Sequence, residues 1–254
     1  MDEETKRPRD SSVHILLIGA SGSVGKLVLE QALSRGHAVT ALVRNPDSLD
    51  YVRGKPASEN LTVLQGTPLN KDDLQKAISH IKTHPRPAVI VTLNNTAKSA
   101  QDPPPPGQCP PHLQYDVHKL LLPLMSQHQI NKLVVLQALG VGSSWPNLAL
   151  PIRLAVKYTS VHFSWDDHAD VDRFVKAYGD DNDVQGHIKW VLVRSCMFSN
   201  GPAKEAHCYG EDGVGLPWFP SISRASVAKF LLDSCENDVW DNKTPVVANN
   251  APKR

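Results

Sequence analysis

The 254-residue chain predicts an α/β fold, a doubly wound and mostly parallel sheet with helices on both faces. Three observations predict it. Short apolar runs alternate with amphipathic stretches, the pattern of successive βαβ units. The first run ends in three glycines spaced G-x-x-G-x-x-G and passes into a helical pattern, "HILLIGASGSVGKLVLEQALSRG". With 41% hydrophobic residues the chain can bury a sizeable core, and sheet folds of this length often form one domain.

Each element follows from its own signals. Strands are expected over 15–18, 38–43, 61–65, 88–92, 133–136, 190–194 and 246–248, each a short apolar run of the kind a strand buried on both faces requires. Helices are expected over 23–34, 114–127 and 167–178. A further one, "NKDDLQKAISHI", has Asn70 as N-cap and acids in its first turn, and the last, "SRASVAKFLLDS", has Ser223 as its cap. Residues 1–12, "MDEETKRPRDSS", carry mixed charge without an apolar stretch. They read as a disordered tail, neither signal peptide nor membrane anchor, with 13–254 as a single domain.

Two stretches break the rhythm. "NNTAKSAQDPPPPGQCPP" cannot continue a helix or a central strand, because its prolines lack the N–H and fix φ. "GVGSSWPNLALPIRLAVKYTSVHFSW" is long and partly apolar, as a cover would be. Both leave carboxyl ends of strands, where open α/β sheets hold their ligands. The segments around 94–112, 140–166 and 198–222 are therefore expected to cover a substrate site.

Net charge is +1 and the basic residues form no stripe, which argues against a nucleic-acid partner. Cys109, Cys196, Cys208 and Cys235 lie far apart with no C-x-x-C spacing, so reduced thiols and a cytoplasmic location are expected.

A buried strand that runs into Gly19, Gly22 and Gly25 lets backbone approach a diphosphate closely, and the following helix offers its N–H groups and positive dipole end. Ser21 and Ser23 can add hydroxyl donors. At the end of the second strand, "ALVRNP" has Arg44 where an acid would accept from a ribose hydroxyl. A guanidinium there forks onto a 2′-phosphate, which favours NADP(H) as cofactor. The plainer reading of Arg44 is a solvated surface arginine.

"LLIGASGSVG", "ALVRNP", "VTLNNT", "VVLQALGVGSS", "WVLVRSCMFSNGP" and "ISRASVAKFLL", in this order, resemble the NmrA-like, NAD(P)H-binding branch of the atypical short-chain dehydrogenase/reductases. The resemblance runs from Val13 to about Ala248. It implies a Rossmann-type domain with a small C-terminal substrate region, binding NADPH through Gly19, Ser21, Gly22, Ser23, Val24 and Arg44. It further implies cofactor contacts from Thr67, Leu93, Asn94, Asn95, Gln137, Ala138 and the segment 195–198, which includes Cys196.

The usual proton-transfer set of short-chain reductases is a Ser or Thr after the fifth strand beside a Tyr-x-x-x-Lys pair. Here Gln137 stands at the Ser/Thr position and no Tyr-x-x-x-Lys follows. The candidates to replace it are Tyr158, His162, Asp166, Asp167 and His168, in "YTSVHFSWDDH", because such groups exchange protons near neutral pH when burial or a partner shifts them. The plainer reading makes them polar residues at a helix entrance, with Asp166 or Asp167 as N-cap or first-turn acid. His162, Asp166 and His168 match no metal signature, so no metal is expected. Trp145, Phe163, Trp165, Phe198, Trp218 and Phe219 concentrate near the loops and are expected to line a flat apolar pocket.

These features together predict an NADPH-dependent oxidoreductase that reduces an apolar, aromatic or polycyclic small molecule of secondary-metabolite, flavin or quinone type, acting as monomer or homodimer without a membrane. Two alternatives stand beside it. One is an NADP(H)-binding scaffold for a non-redox cyclisation, isomerisation or dehydration, and the other is an NADPH-sensing regulator without turnover.

Overall fold

The computed structural model describes residues 12–52, 54–94, 112–159, 161–180 and 188–250. Asn95, Cys109, the tail 1–11 and nearly all of the expected cover 94–112 lie outside the described residues.

The seven expected strands are present as β1 (His14–Ile18), β2 (Ala38–Val43), β3 (Leu61–Gln65), β4 (Pro87–Val91), β5 (Lys132–Ala138), β6 (Lys189–Ser195) and β10 (Val246–Ala248). They pair in parallel in the order β3-β2-β1-β4-β5-β6-β10, and β8 (His207–Cys208) closes the far edge antiparallel to β10. The strand order reverses between β1 and β4, the switch point at which such sheets bind dinucleotides.

The alternation of side chains explains why β1 is apolar from Ile15 to Ile18. Ile15 and Leu17 enter one buried cluster, with α1 (Gly25–Ser34) and α6 (Arg224–Glu236), while Leu16 and Ile18 enter the other, with α2 (Lys71–Ile81), α3 (Leu113–Gln127) and α5 (His162–Asp180). Asn70 caps α2 by accepting from the N–H groups of Asp72 (2.8 Å) and Asp73 (3.1 Å), and Ser223 caps α6 by accepting from Ser226 N–H. Arg35 ties the end of α1 to α6, its Nη1 2.9 Å from Asp233 and 2.7 Å from Glu236.

Three findings differ from the sequence reading. Helix α4 (Leu150–Tyr158), opened by Pro151 in its first turn, lies in the stretch expected only as a cover. Its inward face is narrow, with Val156 buried and Leu150, Leu154 and Tyr158 exposed, so it carries no clear core stripe. Helix α5 starts at His162 rather than Asp167, which moves Asp166 and Asp167 past its first turn. The short strands β7 (Met197–Ser199), β8 and β9 (Ser221–Ser223) are too brief to show a period of two; β7 and β9 pair in parallel beside the main sheet.

No described helix is long and apolar enough to cross a membrane.

Candidate functional site

The turn between β1 and α1 is built by close backbone approach. Gly19 has φ +95°, a left-handed conformation that a side chain disfavours. Its carbonyl accepts from Gly22 N–H at 3.0 Å and from the Thr92 hydroxyl at 3.2 Å, which folds the turn against the end of β4. Helix α1 then starts at Gly25 with Val24 as a cap residue that makes no side-chain bond and with no acid in the first turn. The positive end of α1 is left open to an anion, unlike α2 and α6, whose caps are filled.

A cavity of about 600 Å³ runs over this turn and along the carboxyl ends of the strands. In sheet order it is lined by Arg44 and Thr67 after β2 and β3, by Gly19, Ser21, Gly22, Ser23 and Val24 after β1, and by Leu93 and Asn94 after β4. Gln137, Ala138 and Leu139 at β5, then Ser195, Cys196, Met197 and Phe198 at β6, complete the crest. Leu148, Ile152, Trp165 and His168 form the wall contributed by the stretch after β5 and by α4 and α5. Gly25 does not line the cavity; it lies beneath the turn, where an added Cβ would sit 2.0 Å from the Gly19 carbonyl oxygen.

Of the candidates to replace the Tyr-x-x-x-Lys pair, the structure brings only His168 into the cavity lining. Tyr158 ends α4 with 72% of its surface exposed, Asp166 is exposed, and His162 turns its Nδ1 to the Thr159 carbonyl at 2.8 Å. None of the three lines the cavity: Tyr158 belongs to α4, and the period of α5, which begins early, carries His162 and Asp166 away from the face that His168 presents. Asp167 is buried and caps a different helix, accepting from Gln114 N–H and Tyr115 N–H at 2.9 Å each, so it starts α3 rather than α5. Burial raises its carboxyl, and those two N–H groups offset only part of that rise.

His168 belongs to a buried polar cluster that sequence separation concealed. Its Nδ1 donates to Gln137 Oε1 at 2.8 Å, and the Gln114 amide nitrogen lies 3.3 Å from the ring. His118 donates from Nδ1 to the Gln114 carbonyl at 2.6 Å. Gln137 Nε2, Gln114 Oε1 and His118 Nε2 have no partner among the described residues. A buried amide left unmet costs about 1–3 kcal/mol, so a group held in this way faces a ligand or water when the site works.

Burial holds His168 down at about 4, with His118 adding to the effect, and burial likewise holds His118 at about 4. Both imidazoles are neutral at neutral pH. In the unfolded chain they titrate near 6.5, so unfolding takes up protons between about 6.5 and about 4. The resulting stability is complete above 6.5 and is lost as pH falls toward 4. The urea midpoint should therefore drop between about pH 7 and about pH 5, and drop less in His168→Gln. Equal losses in the two proteins would contradict the neutral burial of His168.

Burial pushes the Cys196 thiol up to about 12, which leaves it an inert part of the lining rather than a nucleophile. Trp165 and Phe198 line the cavity as expected of the aromatic set, with Trp165 Nε1 donating to the Leu139 carbonyl at 3.0 Å. Trp145 instead packs on the core, and Phe163 in the first turn of α5 and Trp218 and Phe219 in the stretch before β9 are exposed outside the lining. Leu139, Leu148, Ile152 and Arg224 were not foreseen as site residues. The first three carry only the signal of an apolar loop, and Arg224 reads as an ordinary first-turn residue.

Comparison with known proteins agrees with this geometry. A family model described as NAD(P)H-binding matches residues 19–238. An uncharacterized Bacillus subtilis protein, YwnB, is 26% identical over 249 residues, covering 92% of this chain and 98% of its own. Eugenol synthase 2 of Clarkia breweri is 35% identical over 75 residues, which is 28% of this chain and 24% of that protein. Among solved structures, ChuY of Escherichia coli O157:H7, described as an anaerobilin reductase ("Anaerobillin Reductase"), superposes with a TM-score of 0.70 at 17% identity, over 95% of this chain and 99% of that one. A short-chain dehydrogenase/reductase of Veillonella parvula solved with NADP superposes with a TM-score of 0.62 at 14% identity, over 96% and 97% of the two chains. A dinucleotide turn at the switch point and a family match across most of the chain lead to one assignment: the protein belongs to the NAD(P)H-binding family.

Proposed function

We infer that the protein is an NADPH-dependent reductase of a flat, apolar small molecule of flavin, quinone or polycyclic type. The observation that carries this reading is the continuity of one cavity. It joins the glycine turn and Arg44 to an apolar end walled by Leu139, Leu148, Ile152, Trp165 and Phe198, with Gln137 of β5 and His168 of α5 between them.

The cradle fits a dinucleotide because the bare glycines let the turn close tightly, a Cβ at Gly19 meeting Thr92 and one at Gly25 meeting the Gly19 carbonyl, and because the first turn of α1 carries no competing acid. When bound, the nicotinamide supplies a hydride. The chain's own residues do the rest. Arg44 lies exposed at the lining with no ion pair among the described residues, free to fork onto a 2′-phosphate. The apolar wall removes water from the acceptor. Gln137 directs its unpartnered amide N–H toward a substrate carbonyl, and His168 fixes that orientation by holding Oε1.

In this arrangement His168 is a positioning residue, since its Nδ1 proton is committed to Gln137. The acceptor is then one that needs little protonation as the hydride arrives, a conjugated or quinoid system, with the proton coming from water.

The test is acceptor-dependent oxidation of NADPH with menadione and riboflavin, in the wild type and in Arg44→Glu. Turnover with NADPH is expected to exceed that with NADH, and the substitution should weaken NADPH by about tenfold to a hundredfold, the loss of charge-assisted bonds, while sparing NADH. Tight NADPH binding without turnover on quinone, flavin or enone acceptors would overturn the reductase reading. Unchanged NADPH affinity in Arg44→Glu would overturn the cofactor preference.

A further inference from the structure

Beyond the apolar end, the cavity wall includes one cation that the dinucleotide turn does not account for. Arg224 is the first residue of α6 and packs its guanidinium over the Phe198 ring, 5.2 Å from the centroid. Nη1 donates to Asn200 Oδ1 at 2.8 Å and reaches the Ser199 carbonyl at 3.5 Å, contacts to neutral oxygens. Nε is buried without a partner, and no carboxylate pairs with Arg224 among the described residues.

Arg224 also lines a second hollow of about 550 Å³, which meets the first cavity at Ser23 and Arg224. The charged groups facing that hollow are Lys26, Glu30 and Arg224. Lys26 lies 5.1 Å over the Tyr51 ring, and Glu30 is met by Lys55 at 3.4 Å. The hollow therefore presents two cations and the Ser23 hydroxyl against one acid already paired. A guanidinium held by neutral acceptors at such a place retains donors for an incoming anion. The diphosphate already has its own seat at the bare N-terminus of α1, so this second cationic place stands ready for another anion.

The geometry points to an anion seat for the substrate at Arg224: the molecule reduced here has a flat apolar body in the chamber and an anionic arm, a carboxylate, sulfonate or phosphate, that passes Phe198 to Arg224 and the hollow beside Ser23 and Lys26. This rests on the reading of the chamber as the substrate site.

Two dyes that share a flat apolar body separate the ideas, anilinonaphthalene sulfonate with an anion and N-phenylnaphthylamine without one. Each is titrated by fluorescence into the full chain saturated with NADP⁺, so that the nucleotide cradle is filled. In Arg224→Gln the sulfonate dye is expected to bind about tenfold more weakly and the neutral dye to change by less than about twofold, as loss of a charge-assisted contact predicts. Arg224→Lys should restore most of the sulfonate affinity.

Equal sulfonate binding in wild type and Arg224→Gln overturns the anion seat, as does an equal loss of both dyes. A matching fall in NADP⁺ affinity overturns it too, by assigning Arg224 to the cofactor. If neither dye binds the wild type, the chamber reading itself fails and the seat falls with it.

Discussion

Gly25→Ala is expected to lower stability by about 3 kcal/mol, the upper part of the range for forcing extra volume into a packed site, and to weaken NADPH binding. The added Cβ would meet the Gly19 carbonyl oxygen at 2.0 Å, the Gly19 carbonyl carbon at 2.8 Å and Thr92 Oγ1 at 2.9 Å. Two of these are backbone, so no rotamer change relieves the clash. The turn must open, and opening breaks the bonds from Gly22 N–H and the Thr92 hydroxyl to the Gly19 carbonyl. The end of α1 at the cavity then moves with it. Urea melts and an NADPH titration measure both effects. A Gly25→Ala protein with wild-type stability and affinity would show that the turn is looser than its geometry.

Arg194→Met is expected to cost about 3–5 kcal/mol, because it leaves a buried carboxylate without its cation. Arg194 on β6 has none of its surface exposed, and Asp172 on α5 is buried. The guanidinium donates from Nη2 to Asp172 Oδ1 at 2.8 Å, and from Nη1 to the Ser143 hydroxyl at 2.7 Å and the Glu211 carbonyl at 2.6 Å. One side chain thus joins the sheet, α5, the stretch after β5 and the loop after β8. Lys176, 2.8 Å from Asp172 Oδ2, is partly exposed and keeps some charge balance. The double variant Arg194→Met, Asp172→Leu should recover most of the loss, since removing both charges leaves no unpaired ion. Comparison of urea midpoints for the three proteins decides it. A loss below about 1 kcal/mol in the single variant would place water, rather than a dry interior, around the pair.

Much of the fold was legible because each element is announced locally. The apolar runs of β1, β2, β4, β5 and β6 are buried on both faces, and Asn70 and Ser223 sit at helix starts where their short oxygens satisfy N–H groups. The glycine turn was legible for the same reason, since Gly19, Gly22 and Gly25 lie within a few residues of one another. Helix α4 and the start of α5 were not, because neither is stated by a core stripe or a local cap.

The substrate side resisted the sequence for a different reason. Which of His162, Asp166, Asp167 and His168 reaches the cavity depends on the phase of α5, and that phase is set where α5 packs against α3 and β6, while Tyr158 ends α4. Asp167 illustrates it: an acid that looks like a cap for its own helix caps α3 instead.

The sequence by itself determined a parallel doubly wound sheet and a dinucleotide turn at its switch point, because periodicity, caps and close glycine spacing act over short range. Only the tertiary structure decided that Gln137 meets His168 across 31 positions, that Arg194 meets Asp172 across 22, and that Arg224 faces the hollow beside Ser23. Those meetings come from strands and helices brought together by burial of the sheet's two faces, and burial rewards apolar area without recording in the sequence which polar residues it brings into contact.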